Sequence, residues 1–207
     1  MSLSKHELFQ QMLEQINLHH QPEYLPYFEN GEIEQVIVHK KSKLWSFQFV
    51  FDNVLPFEVF TALMNHMKIK FQSIATIDFQ IKTRKPILTN ESILDYWETV
   101  VQRSNISSPL VLSLFAKHTP VVLDNKVVIS VENEITKNHL ADNYLSIIQQ
   151  NYMVLGFPSF QITIEVDEAA SEARMAQYLA RKQEQDEMLV KQAEEAIKQN
   201  QQDRQRS

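Results

Sequence analysis

Apolar and polar residues alternate with two different periods in the first part of the chain, and each period predicts one type of element. Apolar residues three and four positions apart predict a helix over residues 4–17, which opens with the capping-box spacing of Ser4 and Glu7. Residues 32–38 are rich in β-favouring residues and predict a strand. Strict alternation predicts a second strand over residues 44–51, with a tryptophan and three phenylalanines on one face. The short polar link between these strands predicts a hairpin.

The pattern then returns to helical spacing and afterwards to alternation. Pro56 suits a first helical turn, and the apolar residues from there to Phe71 share one helix face. Ile77, Phe79 and Ile81 alternate with polar residues, so a third strand is predicted there.

A second series of elements begins near residue 90. Asn90 is the predicted cap of one helix, and Ser108 with Pro109 opens a shorter one. The first of these helices has a predicted buried stripe of Ile93, Leu94, Trp97, Val100 and Val101. Two short apolar runs flank Asp124 and Asn125, which predicts a tight hairpin.

The stretch NEITKNHL at residues 133–140 is interpreted as a helix start, because Asn133 is a favourable N-cap and an acidic residue follows it. The predicted buried stripe of this helix is Ile135, Leu140, Tyr144, Leu145 and Ile148. Gly156 suits the position after the helix, and alternation over residues 160–166 predicts a last strand.

The predicted order of elements describes two similar α+β units. The first reads α-β-β-α-β and the second α-α-β-β-α-β, without visible sequence identity between them. We predict two small domains of αββαβ type, residues 1–86 and 87–166, each with a short sheet and helices on one face.

The composition changes at the C-terminal end. Residues 167–207 contain no glycine or proline, many glutamines and sparse apolar residues. These features predict a long solvated helix that serves as a linker toward further domains, so we expect the chain to be a fragment.

Composition excludes several classes of site. The chain has no cysteine and only two glycines, so disulfides, cysteine metal sites and glycine-rich phosphate loops are excluded. No apolar run is long enough to span a membrane, and none resembles a secretory signal. We expect a soluble cytoplasmic protein.

The histidines offer little support for catalysis. The adjacent pair His19 and His20 lies in a polar connector, and His139 lies on a helix without a partner suggested by spacing. We predict no catalytic residue and no metal site. A small hydrolase remains an alternative that needs two close carboxylates beside His139 or His118.

Basic residues concentrate in one segment only. Residues 33–86 contain eight basic and four acidic residues, a net charge of +4, whereas the other segments are acidic. The nucleic-acid-binding candidates in this segment are Lys40, Lys41, Lys43, Lys82, Arg84 and Lys85. If the fold brings them together they form a phosphate-binding patch; the alternative is a lysine-rich turn that keeps a hairpin soluble. The aromatic face of the second strand is interpreted as core rather than as a base-stacking platform.

Two stretches carry a family resemblance: GEIEQVIVHKKSKLWSFQFVF at 31–51 and KVVISVENEITKNHLADNYLSIIQQNYMVLGFPSFQITIEV at 126–166. Both resemble the N-terminal region of PolC-type DNA polymerase III alpha subunits, the replicative polymerases of low-GC Gram-positive bacteria. The likeness extends over about residues 4–166 and involves no catalytic motif.

The resemblance implies two incomplete KH-like domains at the front of a longer DNA polymerase with 3′–5′ exonuclease activity. Divalent metals are then expected only in downstream domains, and no cofactor is expected here. Because the chain lacks the Gly-x-x-Gly loop of nucleic-acid-binding KH modules, any DNA contact must use the lysine-bearing surface.

The resemblance also implies partners. Replisome proteins, among them the clamp-loader tau-like subunit, and DNA are the expected partners of a monomeric accessory region. The alternative function is a stand-alone protein-binding adaptor whose C-terminal helix pairs with a partner helix, although its weak apolar repeat argues against a self-sufficient coiled coil.

Overall fold

Two three-stranded sheets with the same strand arrangement organise the chain. The computed structural model describes residues 1–140 and 143–206. The first unit consists of α1 (Lys5–Gln15), α2 (Leu25–Phe28), β1 (Glu32–His39), β2 (Leu44–Phe51), α3 (Phe57–Phe71) and β3 (Thr76–Thr83). The second unit consists of α4 (Asn90–Arg103), α5 (Pro109–Lys117), β4 (Pro120–Leu123), β5 (Lys126–Val131), α6 (Glu134–Leu140), α7 (Leu145–Val154) and β6 (Gln161–Val166).

The two sheets share one topology. In the first sheet β1 is antiparallel to β2 and β3 is parallel to β2, with Phe47 opposite Phe79. In the second sheet β4 is antiparallel to β5 and β6 is parallel to β5, with Ile129 opposite Ile164. Each parallel pair needs a crossover, which α3 supplies in the first unit and α6 with α7 in the second. The predicted α+β fold of two small units is therefore confirmed.

The alternating pattern of the strands reflects burial on one face. Phe49 and Phe51 of β2 are fully buried beneath α1, where the Phe9 ring lies edge-on to both at 5.9 and 5.4 Å. Trp45 at the other end of the strand is partly buried and packs on Phe71 at 5.5 Å. The interpretation of this face as core is confirmed.

Several local predictions are confirmed by hydrogen bonds. Ser4 and Glu7 form the reciprocal capping box of α1. The Asn133 side chain accepts a hydrogen bond of 2.8 Å from the Thr136 backbone N–H and so caps α6. In the β4–β5 turn, Asp124 and Asn125 both have positive φ, 46° and 64°, which is the conformation of a tight hairpin turn.

Two predictions about α4 were wrong. Thr89, not Asn90, caps the helix, because its hydroxyl accepts a hydrogen bond from the Ser92 backbone N–H. The Asn90 side chain instead accepts from the Val122 backbone N–H at 3.1 Å. Leu94, predicted to be buried, is 40% exposed, although the other four residues of the stripe are buried.

The helix predicted to begin at Asn133 is divided into α6 and α7, and residues 141 and 142 between them lie outside the described part of the chain. Ile135 is 71% exposed, so its assignment to the buried stripe was wrong. Leu140 and Ile148 are fully buried as predicted. The predicted connector after α1 contains the one-turn helix α2, which had not been expected.

The two units are packed against each other through α4 and α7. Tyr96 of α4 donates a hydrogen bond of 2.6 Å to the Leu55 carbonyl, and its ring lies 5.1 Å from the ring of Phe57 and 5.3 Å from that of Phe60. Buried apolar residues of both units form one continuous cluster. Whether residues 1–86 and 87–166 fold as separate domains stays a prediction.

The two units also approach each other closely at Gly156, which follows α7. Its φ is 97°, its carbonyl accepts a hydrogen bond from the Thr83 hydroxyl, and Leu155 beside it forms a parallel bridge with Ile81. A Cβ at this position would lie 2.9 Å from the Thr83 methyl group. Glycine is therefore required both by backbone conformation and by space.

The last element, α8 (Glu168–Arg206), is a helix of 39 residues. Its described side chains are all exposed, and its apolar residues form no continuous stripe. The prediction of a long solvated C-terminal helix is confirmed.

Candidate interaction surface

The register of the first sheet separates the two predicted lysine clusters. Lys40, Lys41 and Lys43 lie at the β1–β2 turn, beside the start of β3, because the Lys43 carbonyl accepts a hydrogen bond of 2.8 Å from the Thr76 backbone N–H. Lys82, Arg84 and Lys85 lie at and beyond the end of β3, about 20 Å farther along the strand direction at 3.3 Å per residue. The two clusters therefore do not form one patch, and nucleic-acid binding by either cluster stays a prediction.

The cluster at the end of β3 is largely neutralised by carboxylates. The Lys82 ammonium lies 3.1 Å from Glu34, and the Arg84 guanidinium lies 2.9 Å from Asp52 and 3.2 Å from Glu32. Hydrogen bonds from Asn30 and Arg84 hold the pKa of Asp52 below its usual value. These ion pairs are exposed, so their main effect is local charge compensation rather than stability.

The cluster at the hairpin turn has no such compensation and is larger than the sequence indicated. Lys68 and Lys70 lie in the last turn of α3, which ends beside Trp45 at the same end of the sheet. We call the group Lys40, Lys41, Lys43, Lys68 and Lys70 the lysine end. Residues 35–51 and 59–77 contain no Asp or Glu, and none of the five lysines forms an ion pair with a described residue.

Lys68 and Lys70 were missed because their position depends on the parallel pairing of β2 with β3. In a βαβ unit the helix C-terminus lies near the start of the second strand, and parallel pairing places that start beside the start of β2. The signal was available in the predicted order of elements. The same two lysines also complement the α3 macrodipole, so a structural role accounts for part of their placement.

The two histidines of the hydrolase alternative, His139 and His118, differ in burial. His139 is exposed. The His118 side chain is buried; its Nδ1 lies 2.9 Å from the Leu114 carbonyl and its Nε2 lies 3.7 Å from one carboxylate, that of Glu132. The hydrolase alternative required two close carboxylates beside a histidine, and His118 faces one.

In the described ranges 1–140 and 143–206, no group of three or more His, Asp or Glu side chains is placed to hold a metal ion. An open cleft of about 500 Å³ lies between the two units, where the N-terminal residues of α3 and α4 meet. Asp52, Glu91 and Asp95 line it, which disfavours an anionic ligand such as a phosphate.

None of the helices in the described part is long and apolar enough to cross a membrane.

Comparison with known protein families accounts for both units. The family model described as DNA polymerase III polC-type N-terminus I matches residues 8–81, and the model described as DNA polymerase III polC-type N-terminus II matches residues 95–207. The second match alone covers more than half of the chain.

Individual relatives agree with the family models. The chain is 44% identical to the DNA polymerase III PolC-type of Latilactobacillus sakei over 172 residues, which are 83% of this chain and 12% of the relative. It is 35% identical to that of Pediococcus pentosaceus over 96% of this chain and 14% of the relative. It is 31% identical to that of Bacillus subtilis over 76% of this chain and 11% of the relative.

The chain thus spans only a small part of the length of these relatives. The resemblance of residues 31–51 and 126–166 to PolC-type N-terminal sequences is confirmed, since the ranges that the two family models match include both stretches completely. The chain belongs to the family of PolC-type DNA polymerase III N-terminal regions.

Proposed function

We propose that this chain is the non-catalytic accessory region of a replicative DNA polymerase, that it contributes contacts within the replication machinery, and that it binds nucleic acid weakly and without sequence preference. The tandem match of two PolC-type N-terminal models to the two units is the observation that carries the proposal. Polymerase and exonuclease chemistry, with its divalent metals, is assigned to other parts of such a polymerase.

The lysine end supports the nucleic-acid part of the proposal. Its five ammonium groups belong to exposed residues on one end of a rigid sheet and helix, and no carboxylate occurs in the two segments that form it. Lysines in this arrangement contact phosphates as point charges and do not read base edges. Binding at this surface is therefore sequence-independent, and its affinity falls with salt because bound counterions are released.

Protein partners are part of the same proposal. An accessory region that folds as two packed units with exposed surfaces is suited to docking against other replication proteins. We propose replisome proteins, including a clamp-loader tau-like subunit, as these partners, with the chain itself monomeric.

Fluorescence anisotropy with labelled single-stranded and duplex DNA tests the nucleic-acid part. We expect binding at about 50 mM salt that weakens strongly at about 200 mM salt. Replacing the five residues of the lysine end by Gln should reduce the salt slope by roughly 0.7 to 0.9 for each phosphate that the variant no longer neutralises. A matched control with the same change of charge replaces five exposed lysines elsewhere: Lys5, Lys117, Lys126, Lys182 and Lys191.

A third variant, with Lys82, Arg84 and Lys85 replaced by Gln, tests the compensated cluster at the end of β3. We expect its DNA affinity to stay close to that of the unmodified chain, because carboxylates already neutralise two of these charges. Absence of binding at low salt, or an equal decrease in affinity in the lysine-end and control variants, would contradict DNA binding at the lysine end.

A further inference from the structure

The outer edge of β1 is an unpaired strand edge of eight residues. The strand order β1-β2-β3 leaves β1 at the end of the first sheet, and its eight residues pair with β2 alone. At the opposite edge of this sheet, the C-terminal end of β3 contacts the second unit through the bridge of Ile81 with Leu155. The exposed N–H and C=O groups of β1 therefore lie on the side of the sheet that is remote from the second unit.

The second sheet provides an internal comparison, because β4 occupies the position that β1 has in the first sheet. β4 has only four residues and begins with Pro120. The Val122 backbone N–H is bonded by the Asn90 side chain at 3.1 Å. Short length, proline and a capped N–H are all features that prevent pairing with another chain.

β1 lacks these protective features over its second half. Gln35, Val36, Ile37, Val38 and His39 include no proline and no acidic or basic side chain other than a histidine. Val36, Ile37 and Val38 are 40%, 39% and 46% exposed, although β-branched residues of this kind usually pack in a sheet interior. The register shift at Glu34 precedes this half of the strand, and pairing with β2 is regular from Gln35 to His39.

Charge indicates which kind of chain fits this edge. The accessible half of β1 leads directly into Lys40 and Lys41, and Lys43 and the last turn of α3 lie at the same end of the sheet. We infer that the β1 edge binds an extended segment of a protein partner as an additional strand, and that this segment carries acidic residues where it meets the lysine end. Main-chain hydrogen bonds provide affinity in such a mode, and side-chain charges provide orientation.

This inference rests on the proposed role in protein contacts within the replication machinery, but not on the proposed binding of DNA. A phosphate backbone offers no alternating N–H and C=O groups, so it cannot continue the sheet. Peptide binding and DNA binding therefore differ in their dependence on the β1 backbone, even if both use the same lysines.

A labelled synthetic peptide tests the inference with the full 207-residue chain. Valine and threonine alternate in the peptide over about six residues, a usual strand length, and a run of aspartates follows. We expect saturable binding by fluorescence anisotropy and slower hydrogen exchange of β1 amides in the complex. One control peptide has proline in place of the threonines, and the other has lysine in place of the aspartates. Each control should bind at least about three- to tenfold more weakly, the equivalent of one missing hydrogen bond or more.

Two single proline substitutions distinguish the outward N–H groups of β1 from the N–H groups that bond to β2. Neighbouring residues in an antiparallel strand direct their N–H groups to opposite sides, so one of Val36→Pro and Ile37→Pro removes a bond to β2 and the other removes an outward donor. Urea unfolding identifies the outward one as the less destabilising. That variant should bind the peptide about three- to tenfold more weakly and bind DNA like the unmodified chain.

Other results would overturn the inference. Equal binding of the proline-containing peptide would show that no strand is added. Self-association of the chain that disappears in the outward proline variant would assign the edge to a second copy, and loss of DNA binding in that variant would assign it to nucleic acid. If only the DNA proposal is wrong, the chain should still bind the peptide but should not bind DNA at low salt.

Discussion

Position 156 requires glycine for two reasons, its backbone conformation and the small space between the two units. Its φ of 97° disfavours any residue with a Cβ, and a Cβ would also lie 3.0 Å from a methyl group of Ile81. The neighbouring atoms belong to β3, so a side chain here pushes the second unit away from the first sheet.

We therefore expect Gly156→Ala to lower the free energy of unfolding by about 2 to 4 kcal/mol, the sum of a left-handed backbone penalty and overpacking. Urea denaturation followed by circular dichroism measures the change. Ser159→Ala, at an exposed position three residues later, is the control and should change stability by less than about 0.5 kcal/mol. A decrease of similar size in both variants would show that the close approach at Gly156 does not limit stability.

Two tyrosines respond to pH because they are buried. Burial raises the pKa of both Tyr96 and Tyr152 above the usual value for tyrosine, and their hydroxyls donate to the carbonyls of Leu55 and Ile93. A raised pKa in the folded state means that stability is complete below the unfolded-state pKa of about 10 and is lost as the pH rises above it.

The expected outcome is a steep loss of stability above about pH 10, measured by urea denaturation at a series of alkaline pH values. Replacing Tyr152 by Phe should make this loss less steep, because one group that ionises only in the unfolded chain has been removed. An identical slope in both proteins would rule out a contribution from Tyr152.

At the scale of elements, we expect the central strands to be locally the most stable and α8 to be locally the least stable. β2 and β5 are central strands whose side chains belong to the common core, whereas the described side chains of α8 are all exposed. A helix without tertiary packing depends on its own propensity and opens readily.

We predict that amides of α8 exchange with solvent many times faster than those of β2 and β5, as measured by hydrogen exchange with mass spectrometry. Truncation after Val166 should leave the protection of both sheets unchanged. The adaptor alternative predicts the reverse for α8, since pairing with a partner helix or a second copy would protect it and give a dimer in sedimentation.

Elements were predictable where local chemistry decides them. The α1 capping box, the alternation in β2 and the turn at Asp124 and Asn125 depend on residues close in sequence, and each was confirmed. Asn90 was assigned wrongly because Thr89 beside it is also a favoured cap, and the Asn90 side chain accepts a hydrogen bond from β4 instead. Only the packed structure distinguishes the two.

The candidate site was predictable in composition but not in arrangement. The excess of lysine identified the basic segment, but the pairing of β2 with β3 determines which lysines share a surface. Lys82 and Arg84 also acquire carboxylate neighbours from β1 and from the residue after β2, which are distant in sequence. Charge counting along the chain does not contain this information.

At the scale of the whole molecule, Tyr96 joins the two units. Its hydroxyl is bonded to Leu55 of the first unit, and its ring lies 5.1 Å from both Phe57 of the first unit and Phe157 of the second. Because buried residues of both units form one cluster, we expect both units to unfold in one transition.

Replacing Tyr96 by Phe should cost about 1 to 3 kcal/mol, because the Leu55 carbonyl loses its buried partner while the ring packing stays. Tyr152→Phe is the matched control, since it removes an equivalent buried bond within the second unit. Both should cost similar stability, but only Tyr96→Phe should separate the unfolding of the units, seen as different midpoints for tryptophan fluorescence and circular dichroism. Coincident midpoints in Tyr96→Phe would contradict its role in coupling the units.

The contact between β3 and the second unit also affects how many strands the first sheet can add. Leu155 lies against Ile81, and the Gly156 carbonyl accepts a hydrogen bond from the Thr83 hydroxyl, so the C-terminal end of β3 is blocked. Stepwise growth into a ribbon of many chains needs two open edges on each sheet, and a β3 edge that is blocked at one end disfavours growth beyond the first added strand.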